Sequence, residues 1–327
     1  MIRPLLVAAA IAAATIATRA AAQMGPMKWI NVSKQALSGK GRVAVGSYAI
    51  NYVVSQRASA RAGMSAQSKM EQTLVGVDEA TMRRLTDEAY EDLKQQLAAA
   101  GYTLVPDAET RGILQAGAVT FLPGNYADKK AGGMTFGKKK VSKGYLTVGA
   151  GAAPLTTMFG EVKSGPFAAF AALNNGVGKL YKPAEAADAL LIFPTMTVDF
   201  ADTEARTGTT LAGGRRASID SEVRFIIRAE SKVDTVLPMN KGHAGVALPF
   251  WLAKDVESDK PFTLGSTERS TMSSATNVGG GTTSYQDSSA GPGGVRVDLA
   301  KWTALMQEAY RAYNAGIVEA LRVTRKG

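Results

Sequence analysis

Apolar residues recur at three- and four-residue spacing along Met82, Leu85, Ala89, Leu93 and Leu97, while Arg83, Glu88, Glu91 and Lys94 fall between them. That period predicts an amphipathic helix. Asp78 stands where an N-cap belongs, and Gly101 stands where a left-handed residue ends a helix. A second stripe of Leu299, Trp302, Met306, Tyr310, Tyr313, Ile317 and Leu321 predicts a C-terminal helix from Asp298 to about Val323. Strand signals lie elsewhere. Arg42 to Val54 is a short bounded run rich in Val, Ile and Tyr, and Tyr102 to Val105 follows the first helix at once. Ala189 to Ala201 puts Leu190, Ile192, Met196, Val198 and Phe200 on one face, with Pro194 arguing for an edge or a bulge. Ala217 to Val236 alternates, with Ile219, Val223, Phe225, Ile227 and Val233 opposite Asp220, Glu222, Arg224, Arg228, Glu230 and Lys232, and predicts one half-wet antiparallel strand.

Weaker segments fill the gaps. Ser55 to Lys69 mixes Ser, Ala and Arg without apolar periodicity and reads as a loop or weak helix. Short elements are expected at Glu109–Gln115 (helix), Ala118–Leu122 and Tyr145–Val148 (strands), and Pro166–Tyr181 (helix, weakened by Gly176 and Gly178). Residues 202 to 216 read as a polar Thr/Gly-rich loop, and 265 to 294, mostly Gly, Ser and Thr, as a mobile loop or weak hairpin. The expected fold is α/β (α+β): a mixed, largely antiparallel sheet with a long helix after the first strand and a long C-terminal helix. One domain spans 23–327, with flexible insertions near 124–145 and 265–296.

The first residues change the picture. Arg3, an apolar run from Pro4 to Thr18 and the small residues Ala20-Ala21-Ala22 fit a cleavable signal peptide over 1–22, with cleavage near Ala22. The run is shorter than the roughly 20 residues a membrane span needs. The expected location is therefore the periplasm or the exterior. Cysteine is absent, so neither an N-terminal lipidated Cys nor a disulfide is available. A mature chain of about 300 residues folds by burial alone, since chains of that size bury roughly three quarters of their surface.

Charge and chemistry add less. The formal charge is +10, and Arg3 and Arg19 leave with the signal. The excess favours anionic partners. Lys129, Lys130, Lys138, Lys139, Lys140 and Lys143 cluster as a candidate surface for anionic lipid or glycan. Only Phe136 and Tyr145 stand nearby to stack on bases, so nucleic acid is not expected as a partner. His243 is the sole histidine and reads as an exposed loop residue. Gly149-Ala150-Gly151-Ala152-Ala153-Pro154 echoes a dinucleotide loop but lacks its last glycine and an acidic ribose partner, and reads as a turn. Asp199, Asp220 and Glu222 are scattered carboxylates, best explained by an exposed sheet face; a pair across a cleft would support glycoside hydrolysis. No catalytic, metal or cofactor residues are assigned.

The run RVAVGSYAINYVV, the long helix ending at Gly101-Tyr102-Thr103-Leu104-Val105, the strand ADALLIFPTMTVDF and the alternating ASIDSEVRFIIRAE together resemble the curli-secretion channel (CsgG-like) family, over residues 42–105 and 183–236. The resemblance implies an envelope protein that binds or assembles with other envelope proteins, with oligomerisation open, rather than an enzyme. Two departures stand out. Channel members of that family carry an N-terminal lipidated Cys, absent here, and the polar 202–216 segment is too short for a membrane hairpin. The alternatives are a membrane-associated or pore-forming oligomer using Ala189–Ala201 and Ala217–Val236 as spanning strands, and a secreted hydrolase.

Overall fold

The computed structural model describes residues 24, 27–32, 41–62, 66–122, 126–131, 139–156, 178–209, 215–237, 249–264, 275–278, 282–285 and 294–325. The first half holds β1 (Trp29–Ile30), β2 (Arg42–Val45), β3 (Ala49–Ala62), β4 (Ala66–Val75), α1 (Glu79–Ala99), β5 (Thr103–Leu104), α2 (Asp107–Ala116), β6 (Tyr126–Ala131) and β7 (Lys139–Gly149). Then come α3 (Gly178–Ala186), β8 (Leu190–Thr209), β9 (Arg215–Ile227), β10 (Lys232–Val236), β11 (Phe250–Leu252) and β12 (Val256–Ser258). The end of the chain adds β13 (Ala275–Val278), β14 (Thr282–Tyr285), β15 (Val295–Arg296) and α4 (Leu299–Arg325). The sheet is mixed and mostly antiparallel, as expected. Its parallel pairs are β2 with β5, β2 and β3 with β8, and β15 with β4.

Strand β8 explains the body. Successive residues of a strand point to opposite faces, and both faces are covered here. Leu190 and Ile192 join a core with Leu85, Leu93 and Leu97 of α1 and Trp302, Met306 and Tyr313 of α4. Leu191 and Phe193 join a second core with Ile113 and Leu114 of α2 and Leu180 and Ala184 of α3. Each such apolar side chain contributes about 1.5–3 kcal/mol on burial. Leu190 to Phe200 are thus buried on both sides, so in this conformation neither face of that segment is open to lipid.

Pro194 sits in a central strand rather than at an edge, and it pairs across to Val233 of β10. Its missing N–H is tolerated because the neighbouring ladder is interrupted beside it. Strand β2 pairs with β8 up to Ile192 and β3 resumes at Thr195. The chain between them turns at Gly46, whose N–H donates to the Ile192 carbonyl at 2.9 Å. A Cβ at Gly46 would lie 2.4 Å from the Phe193 ring, so glycine is required by close approach.

Helix α1 behaves as its period predicts. Met82, Leu85, Ala89, Leu93 and Leu97 are buried, the Asp78 carboxylate accepts from the Thr81 N–H at 2.7 Å, and Gly101 adopts φ +83°. The Thr81 hydrogen bonds hold the Asp78 carboxyl below its ordinary value of 3.8. A lowered value means the charged cap stabilises the fold above that ordinary pH, and the gain is lost as pH falls through the folded value. Asp78→Ala is therefore expected to lower the Tm at pH 7, with the gap to the native protein closing in acid. An undiminished gap at pH 2.5 in thermal melts would contradict this.

Several expectations are corrected. Ser55 to Lys69 is neither loop nor helix: β3 runs on to Ala62 and β4 starts at Ala66. Residues 202 to 209 continue β8 and 215–216 open β9, while 210–214 lie outside the described residues. Ala217 to Val236 is two strands, because the chain turns at Arg228–Ser231. Ala118–Leu122 holds only an isolated bridge, Phe121 to Thr156. Strand β7 extends the expected Tyr145–Val148 element back to Lys139, and β6 pairs with it, so much of the expected insertion near 124–145 is sheet. Part of 265–296 is the hairpin β13–β14 and the strand β15. Of the Pro166–Tyr181 helix, the part before Gly178 lies outside the described residues. Leu299 of the C-terminal stripe is 45% exposed; the other six residues of that stripe, from Trp302 to Leu321, are buried.

Candidate functional site

The long strands leave the helix-covered body as two hairpins, β3–β4 and β8–β9. Strand β3 pairs with β8 only from Ala49 to Tyr52, then with β4 from Ser55 onward. Strand β8 turns to β9 from Val198 onward. The parting is marked by irregularities in both strands, between Val53 and Ser55 and between Asp199 and Ala201. A bulge adds an unpaired residue and re-aims the side chains beyond it. Past this waist the hairpins face each other as an arm. Ala58, Ala60, Ala62 and Met70 pack there against Ala205, Ala217 and Ile219. The outward positions carry Arg57, Arg61, Lys69, Glu71, Asp202, Glu204 and Arg206, all exposed.

Asp199 holds the waist together. Its side chain is fully buried. Oδ1 accepts from Gln56 Nε2 at 2.6 Å and from the Phe200 N–H at 2.8 Å, a backbone donor that the bulge releases from the ladder. Oδ2 accepts from Arg228 Nε and forms an ion pair with Lys143 Nζ, both at 2.8 Å. Arg228 Nη2 donates to the Ala201 carbonyl at 2.7 Å, and Nη1 donates to Asp255 at 2.8 Å and Asp202 at 3.2 Å. Gln56 Nε2 also reaches the Ala201 carbonyl at 2.8 Å. A chain of polar contacts then crosses the arm: Thr203 Oγ1 donates to Gln56 Oε1, Ser221 Oγ donates to Gln72 Oε1 at 3.0 Å, and the two hydroxyl oxygens lie 2.9 Å apart. Five strands, β3, β4, β7, β8 and β9, are joined by one network.

This geometry decides what the site can do. A carboxylate offers about four lone-pair sites, and those of Asp199 are occupied by two cations, an amide and a backbone N–H. Such a group anchors the strands around it. At the rim, the Tyr145 hydroxyl donates to Glu230 Oε1 at 3.2 Å, and burial together with the Glu230 and Asp199 charges pushes the phenol well above its ordinary value. It stays protonated as a donor.

The expectation that Asp199 lies on an exposed sheet face is thus overturned, because the face of β8 that carries Thr195, Thr197 and Asp199 is itself buried and sets the carboxylate against Arg228 and Lys143. Arg228, expected on a wet face, is 8% exposed because β9 ends at Ile227 and its side chain turns onto Asp199 and Asp255. Asp220 pairs with Arg206 at 3.3 Å. Glu222 pairs with Arg224 at 2.7 Å at the mouth of a shallow cleft of about 220 Å³ that Asp259, Lys260 and Phe262 also line. Among the described residues, Asp199 and Glu222 each pair with cations rather than with a second carboxylate across a cleft, the arrangement weighed for glycoside hydrolysis. Among the described residues, no group of three or more His, Asp or Glu side chains could hold a metal ion, and no helix is long and apolar enough to cross a membrane.

Of the lysine cluster, two side chains are described, and they differ in surroundings. Lys143 is withdrawn into the ion pair with Asp199, its side chain 19% exposed. Lys140 is exposed on β7 opposite Ser59, and Lys139 occupies the rung opposite Ala60. Lys129 and Lys130 lie on β6, opposite Tyr145 and Gly144 near the waist. Lys138 and His243 lie outside the described residues. The Gly149–Pro154 segment is a turn whose Gly151 N–H donates to the Asp87 carboxylate at 2.7 Å, so that donor is already engaged by α1. The arm itself escaped the apolar pattern, yet small and charged residues alternate along Gln56–Ala62 and Ala201–Thr207, and that period of two was the available signal. Compared with protein-family models, curated proteins and solved structures, the chain matches none.

Proposed function

We propose that this protein is an exported, non-enzymatic component of the cell envelope that binds or assembles with partners through its two-hairpin arm. The observation that carries the reading is the arm: two hairpins extended beyond the helix-covered body, fixed at their base by a saturated ion-pair network. Rigid projections of this kind present residues at a distance from a stable scaffold, and the cluster at their base anchors them. The leader-like segment ending at Ala22 supplies the compartment, and the positive charge favours anionic envelope surfaces.

Fractionation of the native host with N-terminal sequencing tests the reading. The expected result is recovery outside the cytoplasm with a new N-terminus close to Gln23. A protein found only in the cytoplasm with its first residues intact would overturn it. The charged outer positions of the arm do not favour a lipid-facing barrel in this conformation, so pore formation is not proposed.

A further inference from the structure

The distal end of the arm gathers cations that the sequence keeps far apart. Its last rungs, Ser59–Ala62, Ala66–Lys69, Lys139–Lys140, Thr207–Thr209 and Arg215–Ala217, contain Arg61, Lys69, Lys139, Lys140, Arg215 and Arg216 and no carboxylate. Arg61, Lys69, Lys140, Arg215 and Arg216 are exposed. Strand β13, which pairs with Arg215–Ala217, is Ala-Thr-Asn-Val and adds no acid. Among the described residues of the two hairpins, the carboxylates next along the strands lie nearer the waist and are already paired: Glu71 with Arg57 at 2.8 Å, Glu204 with Arg206 at 2.8 Å, and Asp220 with Arg206 at 3.3 Å.

We propose that this basic end of the arm docks the protein on an anionic phospholipid surface. The inference rests on the binding role proposed above and names the partner. A bilayer is favoured over a polymer because the cations stand at the end of a projection. Two packed sheet layers present a facet roughly 10 Å deep, which meets a flat array of headgroups end-on. Lys143, part of the sequence cluster, takes no part, because Asp199 holds it at the waist.

Co-sedimentation of the mature protein with lipid vesicles tests this. Vesicles of phosphatidylcholine with about a third phosphatidylglycerol should bind it at low salt, and pure phosphatidylcholine vesicles should not. Each cation near such a surface is worth about fivefold in partition, so the triple variant Lys69→Gln, Arg215→Gln, Arg216→Gln should bind about a hundredfold more weakly. Raising the salt to 0.5 M should release the native protein, as screening requires. A control triple, Lys179→Gln, Lys182→Gln, Lys254→Gln, removes the same charge from exposed body positions and should bind nearly as well as native. Unchanged circular dichroism checks that both triples fold. Equal loss in the two triples would mean net charge alone is read, and would overturn the docking surface. So would equal affinity for both vesicle types, or preference for a soluble sulfated glycan over the vesicles. An exported protein that ignores the vesicles sinks this surface alone, since export is read separately from the N-terminus.

Discussion

Replacing Asp199 by Ala is expected to lower stability by about 3–5 kcal/mol, the range for removing one partner of a buried ion pair. The size follows from what is left behind. Arg228 would keep Asp255 and Asp202, but Lys143, Gln56 Nε2 and the Phe200 N–H would lose the same acceptor at once. Buried donors without acceptors cost about 1–3 kcal/mol each. Asp199→Asn keeps an acceptor oxygen and the shape, so it should cost less than the Ala variant. Urea unfolding gives the magnitude, and hydrogen exchange gives the place: protection should fall first in the arm strands around Thr203, Ser221 and Gln72. A double-mutant cycle with Arg228→Met should return a coupling of about 1–3 kcal/mol. A loss under 1 kcal/mol for Asp199→Ala, or exchange changes confined to α1 and α4, would show that the network does not fix the waist.

Truncating Trp302 to Ala should cost about 3–5 kcal/mol as well, for a different reason. The indole is 1% exposed and packs edge-on against Phe225 at 5.2 Å and tilted against Phe262 at 5.5 Å. Helix α4 thereby clamps the body end of β9, close to the turn that carries Arg228. The cavity left by Ala removes those ring contacts and cannot be refilled by residues locked in a sheet. Trp302→Phe provides the control. The buried indole N–H has no hydrogen-bond partner among the described residues, so replacing it forfeits no hydrogen bond. The Phe variant should cost less than half as much as Ala in urea midpoint. Equal losses would mean the N–H, not the ring packing, carries the effect.

The elements legible in the sequence are those whose burial is written in large apolar residues. Helix α1 announced itself by Met82, Leu85, Leu93 and Leu97 with an Asp cap and a Gly stop, and α4 by Trp302, Met306, Tyr313 and Ile317. The arm was hidden because its inner face is built from Ala58, Ala60, Ala62, Ala205 and Ala217, which carry little hydrophobic signal and no strong strand preference. The waist was hidden more deeply. Asp199 reads as a wet-face residue until both faces of β8 prove to be covered, and its partners Gln56, Lys143 and Arg228 come from three other stretches of chain. Periodicity along one strand cannot show that distant segments cover its polar face. The lysine cluster illustrates the same limit: neighbouring residues such as Lys140 and Lys143 part company once β7 is drawn, one to solvent and one to Asp199.

The absence of native cysteine makes one measurement especially direct. A single Cys introduced at Ser59, on the outer side of the arm, and another at the exposed Glu91 on α1 can each carry a short photo-crosslinker in cells. The expected result is that the arm position yields discrete adducts with envelope components outside the cytoplasm while the α1 position yields none. Adducts from Glu91→Cys alone, or equal yields from both positions, would contradict a protein that works through its arm.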